Sequence, residues 1–345
     1  MTTKFEVDPG LDRFIRAIPK VELHLHLEGT LEPELAFRLA ERNGVALPYA
    51  DVEAMRAAYE FENLQSFLDL YYAACAVLVT RDDFRDLTLE YLRRANADNV
   101  RHVEPFFDPQ THTARGVAFD TVIGGILDGL SLGEREFGIT SCLILSFLRD
   151  LTAQSAEETL TAAVPWLTDI VAVGLDSAEI GNPPEKFEAV YRRAHDLGLR
   201  LVAHAGEEGS ADLVTRTLDV LHVDRIDHGV RSADDCALVE RLTRERIPLT
   251  VCPLSNIRLR VFDAMEDSNL ASLLRSGVMV TLNSDDPAYF GGYIADNFRA
   301  AASGLNLTRD EIATLARNAI EGSFADQVRK SALLEELDAL TSDRA

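Results

Sequence analysis

The chain has 345 residues, with 34 basic and 57 acidic side chains, which gives a formal net charge of -23 at pH 7. This balance disfavours nucleic acid or another polyanion as a partner, because proteins that bind them usually present a basic face. No sustained apolar segment opens the chain, and no later stretch approaches the roughly 20 apolar residues of a membrane span. We therefore expect a cytoplasmic enzyme with a small-molecule substrate, no nucleic-acid partner and no membrane contact.

Eight apolar segments rich in Val, Ile and Leu predict the buried parallel strands of an α/β protein. They cover residues 20–26, 100–107, 141–148, 169–176, 199–204, 224–228, 247–252 and 278–284. A helical pattern lies between most of them, as in 186–197, where apolar residues recur at helical spacing and Gly198 supplies the stop. The alternation predicts a (β/α)8 TIM-type barrel, in a single domain that covers residues 1–345.

One long interval interrupts this alternation. Between the first and second strands, the pattern predicts helices near 31–43, 50–59, 63–79 and 82–97. This is much more chain than one crossover needs. We interpret residues 30–99 as a helical insertion that forms a lid over the barrel mouth.

His24 and His26 end the first predicted strand. Side chains alternate along a strand, so both imidazoles point to the same side and can share one cation. An isolated His-x-His pair is more often a pair of ordinary hydrogen-bonded histidines. Here, however, three other predicted strands also end in polar clusters, namely HAGEEG at 204–209, RIDHG at 225–229 and NSDDP at 283–287. In β/α barrels this end of the strands carries the active site.

The residue types at these strand ends indicate an open metal site. Three imidazoles and one carboxylate would hold a divalent ion and leave a position for water. The predicted ligands are His24, His26, His204 and Asp285. Glu207 is placed to move a proton of that water, and His228 to orient or deprotonate it. The alternatives are a solvated loop for Glu207 and a helix N-cap for Asp285 and Asp286 before Pro287. These alternatives give no common reason for histidines at several predicted strand ends, which would then occur there by chance.

The motifs HLHLEGTLEPEL, HAGEEG, RIDHGV, PLTVCPLSN and VTLNSDDPAYFGGY occur in this order over nearly the whole chain. Together they resemble the adenosine/adenine deaminase family of metal-dependent amidohydrolases. The resemblance implies a zinc-dependent barrel with one Zn²⁺, which hydrolyses the exocyclic amine of a 6-aminopurine and releases ammonia. By motif, it implies that Glu207 protonates ring nitrogen N1, that His228 steers the hydroxide and that Asp286 binds N7.

Two differences from the nucleoside-deaminating members bear on the substrate. Glu28 stands in HLEG where those members have HLDG, and its longer side chain is expected to intrude on the space for ribose. Glu179 stands where they have a glycine, and a carboxylate there could contact the N3/N9 edge that free adenine exposes. The alternative is that both are spectators in loops. Since both differences favour the free base, we expect an adenine deaminase that forms hypoxanthine in purine salvage.

Three alternatives stay open. A deaminase of adenosine, of another 6-aminopurine nucleoside or of an N6-substituted adenine would use the same catalytic set. Another metal hydrolase on this barrel could open a cyclic amide or ester. A metal-binding or partner-binding protein without activity is the third, and the filled catalytic positions disfavour it. Ammonia release from adenine separates them.

Overall fold

The computed structural model of the chain describes residues 5–342. Each of the eight predicted strand segments contains strand structure, and two of them are divided. In chain order the strands are Lys20–Glu22 (β1), Val100–Val103 (β2), Phe106–Phe107 (β3), Thr140–Ser141 (β4), Leu143–Leu148 (β5), Ile170–Asp176 (β6), Arg200–Ala205 (β7), Arg225–His228 (β8), Leu249–Val251 (β9) and Val280–Leu282 (β10). The break between β2 and β3 contains Pro105, which has no N–H to give to a ladder.

Helices fill the intervals between the strands. The α-helices are Pro9–Ala17 (α1), Pro33–Asn43 (α2), Val52–Ala57 (α3), Leu64–Ala74 (α4), Arg81–Ala97 (α5), Pro109–Thr113 (α6), Phe119–Phe137 (α7), Ala153–Ala163 (α8), Glu188–Asp196 (α9), Ala211–Leu221 (α10), Cys236–Glu245 (α11), Pro253–Arg258 (α12), Leu270–Arg275 (α13), Pro287–Phe290 (α14), Ile294–Gly304 (α15), Arg309–Gly322 (α16) and Gln327–Ser342 (α17). Short 3₁₀ helices cover Glu28–Thr30, Cys75–Val77, Val164–Trp166, Pro184–Phe187, Val230–Asp234 and Met265–Asp267. The helices expected between the first two strand segments are α2 to α5.

The strand pairs are parallel and form two sheets, with the orders β1-β2-β4 and β10-β9-β8-β7-β6-β5-β3. The chain just beyond β1 connects them, because Leu25 bridges Asp285 and His26 bridges Phe106. The fold is therefore the predicted TIM-type α/β barrel, with single bridges where the regular ladders stop. These same bridges place the first histidine motif beside the end of β10.

Apolar side chains fill the barrel from within and cover it from outside. Phe106, Ile144, Ala172 and Val202 form a small buried cluster contributed by neighbouring strands. A much larger cluster lies between the strands and the surrounding helices. The polar residues at the carboxyl ends of the strands therefore lie on an apolar support.

Among residues 5–342, every helix is too short or too polar to span a membrane.

Candidate active site

The four predicted metal ligands meet at the carboxyl ends of the strands. One donor atom of each lies within 4.8 Å of the others, and all four side chains are buried; they are His24, His26, His204 and Asp285. The Nε2 atoms of His24 and His26 lie 3.2 and 3.5 Å from Oδ1 of Asp285. Asp285 has a φ of 65°, a left-handed conformation that non-glycine residues adopt mainly at constrained functional sites. The arrangement brings three nitrogens and one oxygen to a single point.

The environment of His24 leaves its Nε2 free to bind a metal. Its Nδ1 lies 2.9 Å from the hydroxyl of Thr250, and that hydroxyl donates to Asp227 at 2.9 Å. Because the hydroxyl proton is used on Asp227, Thr250 accepts from an Nδ1–H of His24. The lone pair is then on Nε2, which has no hydrogen-bond partner within residues 5–342. Such support of the distal nitrogen is typical of metal-binding histidines, so these residues fit a divalent ion.

Glu207 is a buried carboxyl group beside the predicted ligands. Its Oε1 has no hydrogen-bond partner in the described part of the chain. Burial, and then the charge of Asp285, raises the pKa of Glu207 well above its ordinary value. His228 Nε2 lies 3.6 Å from Glu207 Oε2 and 3.8 Å from Asp285 Oδ2. The site can therefore offer a protonated carboxyl and an imidazole to one reacting centre.

Asp286 packs against Gly29, which belongs to the motif HLHLEGTLEPEL. A Cβ atom added at Gly29 would lie 1.9 Å from Asp286 Oδ1, so the glycine makes room for this carboxyl group. Asp286 is buried, and its Oδ1 has no hydrogen-bond partner among residues 5–342. Burial, and then the charge of Asp285, raises the pKa of Asp286 well above its ordinary value. It is thus a second carboxyl available to a ligand.

These groups share one cavity. Glu207, His228, Asp285 and Asp286 line it, together with His26 and His204. Helix α4 contributes apolar and aromatic side chains to the lining, namely Leu64, Phe67, Leu68, Tyr71 and Tyr72. A cavity lined by apolar side chains and a few polar groups is typical of a site for a small ligand.

Glu179 does not line this cavity as expected. Its carboxylate instead accepts hydrogen bonds from the backbone N–H groups of Gly206, Glu207 and Gly209, at 3.0, 3.0 and 2.9 Å. A sequence motif shows that a carboxylate is present but not that nearby backbone amides will take it up. The expected contact with the purine edge is therefore revised: Glu179 fixes the loop that carries Glu207.

Glu28 is held by the segment around Asp108. Its Oε1 lies 2.8 Å from His112 Nε2 and accepts the backbone N–H of Asp108 at 3.2 Å. The side chain is buried and is not among the residues that line the cavity in the described chain, and its Oε2 has no hydrogen-bond partner there. Glu28 therefore supports the segment that carries Asp108, and its intrusion into ribose space stays a prediction.

Asp108 and Asp176 line the cavity and were not singled out from the sequence. Asp176 Oδ2 lies 3.5 Å from Nδ1 of His26, where it can orient that ligand. Burial, and then the charge of Asp176, raises the pKa of Asp108 well above its ordinary value. Both residues come at or just after a predicted strand end, which is the signal that could have identified them.

The fold and these groups together define a metal-dependent hydrolase of the barrel type. Comparison with known proteins gives its family: the adenosine deaminase profile matches residues 19–340, and the chain belongs to this family. An adenine deaminase from Cupriavidus necator is 57% identical over 332 residues, which cover 96% of this chain and 95% of the relative.

Two solved structures are similar over nearly their full lengths. An adenine deaminase from Arthrobacter aurescens has a TM-score of 0.93 and 54% identity, covering 94% of this chain and 100% of that one. An amidohydrolase from Burkholderia ambifaria, solved with bound zinc, has a TM-score of 0.89 and 28% identity, covering 99% and 96%. The predicted family and barrel are thereby confirmed.

Proposed function

We propose that the protein deaminates adenine, with water as co-substrate and hypoxanthine and ammonia as products. The main supporting observation is that Glu207, a buried carboxyl group with a raised pKa, lies in one small cavity beside the four predicted metal ligands. The relatives from Cupriavidus necator and Arthrobacter aurescens, both named adenine deaminases, support this substrate. A role in purine salvage follows from the product, a free base that can be reused.

Zinc is the metal we propose, with one ion per chain held by the three histidines and Asp285. Imidazole nitrogens with one carboxylate suit Zn²⁺, and the Burkholderia ambifaria amidohydrolase contains it. When bound, the ion supplies a water that can lose its proton near neutral pH. Side chains of the protein bind the substrate and transfer the other protons of the reaction.

Glu207 has the role of proton donor. Its raised pKa favours the protonated form, so it can donate to N1 of the purine and make C6 electrophilic. Asp286 faces the same cavity and would hold N7, which fixes the register of the ring. Burial, and then His24, lowers the pKa of His228 to about 3, so this imidazole is neutral and can accept a proton from the attacking water. The oxygen of that water bonds to C6, the proton held by His228 passes to the 6-amino group, and the C6–N bond breaks to release ammonia. The remaining hydroxyl proton returns to Glu207, which leaves the C6 carbonyl and the N1–H of hypoxanthine.

Helix α4 supports a lid role for the helical insertion. Its apolar residues line the same cavity as the polar groups, and they would exclude bulk water from a bound purine. We propose that α2 to α5 are this lid and belong to the one catalytic domain of the chain.

The test is product analysis with purified protein. Adenine should yield equal amounts of hypoxanthine and ammonia. Metal analysis should find about one equivalent, as a single open site implies. Chelation should abolish turnover, and zinc should restore it. Full activity in rigorously metal-free protein, or no ammonia from adenine with the zinc form, would overturn the proposal.

A further inference from the structure

One oxygen of Asp108 is buried and has no hydrogen-bond partner in residues 5–342. Asp108 is 3% exposed and lines the cavity with Glu207 and Asp286. Its Oδ2 accepts the hydroxyl of Tyr71 at 3.3 Å, and its Oδ1 is the oxygen without a partner. A buried carboxyl oxygen without a hydrogen-bond partner is costly, so a donor from a ligand would be stabilising there.

The local backbone does not explain this oxygen. Asp108 directly precedes helix α6, but its side chain makes no capping hydrogen bond to that helix. Its backbone N–H is held by Glu28, which is itself held by His112 at 2.8 Å. The chain therefore fixes the backbone of Asp108 and leaves Oδ1 without a hydrogen-bond partner among the described residues.

Free adenine differs from adenosine in one hydrogen-bond donor. Its five-membered ring carries an N–H at the position where the nucleoside carries ribose. Glu207 and Asp286 serve N1 and N7 in the proposed function, so neither is available to this N–H. Two cavity carboxyls remain, Asp108 and Asp176, and each has a buried oxygen without a hydrogen-bond partner among the described residues. Asp176 lies 3.5 Å from Nδ1 of His26, where it supports that predicted ligand, so we assign the N–H to Asp108.

We propose that Asp108 Oδ1 accepts the imidazole N–H of free adenine and thereby selects the base over its 9-substituted derivatives. The inference rests on the proposed function and names a specificity residue for it. With a substituent at N9, the donor is lost and the substituent faces the buried carboxyl group of Asp108, so both effects act against binding. Glu28 then contributes to substrate choice through the backbone of Asp108.

The test compares adenine with 9-methyladenine, which differs by one methyl group in place of the N–H. For Asp108→Ala, kcat/KM on adenine should fall by about 10- to 100-fold, the effect of leaving the buried N–H of the base without a partner. The ratio of kcat/KM for adenine to that for 9-methyladenine should fall by about tenfold or more, because the second substrate never made the bond. Asp150→Ala is the matched control, since Asp150 is an exposed acid just after β5 at the same end of the barrel.

The outcomes separate the inference from the proposed function. If wild-type protein does not deaminate adenine, the proposed function fails. If it does, and folded Asp108→Ala discriminates like wild type and Asp150→Ala, the role of Asp108 is overturned. Asp108→Leu, closer in shape to aspartate, gives the same readout if the alanine variant lacks a cooperative thermal transition. The inference is supported if the ratio of kcat/KM for adenine to that for 9-methyladenine falls by about tenfold or more in Asp108→Ala while its metal content is unchanged.

Discussion

The carboxylate of Glu179 accepts the backbone N–H of Glu207 at 3.0 Å, and two further amides of the same loop complete its contacts. Glu207, three positions beyond the proposed metal ligand His204, is thereby fixed by a side chain from the segment after a different strand. A Cβ at Gly209 would lie 2.6 Å from Glu179 Oε2, so glycine there permits the close approach. The proton donor of the proposed reaction is thus preorganised by backbone contacts.

Glu179→Gln replaces one acceptor oxygen with an NH₂ group that would face a backbone N–H. We expect turnover of adenine to fall by roughly 10- to 100-fold with metal content unchanged, since a bond to a charged group is lost and the loop shifts. The charge of Glu179 also helps to raise the pKa of Glu207, so the alkaline limb of the pH–rate profile should move to lower pH.

Glu208→Gln is the matched control for this variant. It makes the same change in the same loop, but its side chain is exposed and does not line the cavity. Its turnover should stay within a few-fold of wild type. Equal rates for wild type and Glu179→Gln would show that the three amide contacts do not matter to catalysis.

Glu207→Gln keeps the shape of the side chain and cannot give up a proton. Turnover should fall by about 10²- to 10⁴-fold, the usual contribution of a general acid, while purine binding survives. In wild type, the acid must be protonated, so activity should decline as pH rises through the raised pKa of Glu207. The variant should lack that decline in its residual rate. Near wild-type turnover would transfer the donor role to Asp286.

Much of the ligand set could be predicted because strand periodicity and barrel topology determine it. His24 and His26 share a face by alternation, and the carboxyl ends of parallel strands meet at one edge of the barrel. The structure brings His204 and Asp285 to the same point. The partners of the loop carboxylates were harder to predict. The sequence shows that Glu28 and Glu179 follow strand ends. It does not show which backbone N–H groups will lie near them, because almost every residue has one.

Gly29→Ala tests the packing of Asp286 on the first motif. The added Cβ would lie 1.9 Å from Oδ1 and 2.6 Å from Cγ of Asp286, so the carboxyl must move. We expect a loss of about 1–3 kcal/mol in the free energy of unfolding, typical of overpacking. Turnover should fall about tenfold or more, because misplacement of a binding group is costly to the rate.

Gly138→Ala is the contrasting control. Gly138 has a φ of 69° at the end of α7, and a Cβ there meets no atom within 4 Å among the described residues. Backbone strain alone should lower its stability by about 1 kcal/mol and leave kcat unchanged. If both variants lost only stability, Asp286 would not need the position that Gly29 allows.

The measurement that bears most directly on the account is kcat/KM for adenine and adenosine, followed as ammonia release by the zinc-loaded protein. In our inference, the buried carboxyl group of Asp108 lies where the nucleoside would carry ribose. A penalty of ~3–5 kcal/mol for that mismatch corresponds to about two to four decades in rate. We predict that adenine exceeds adenosine by at least about 10². Equal values for the two substrates would contradict the assignment of adenine.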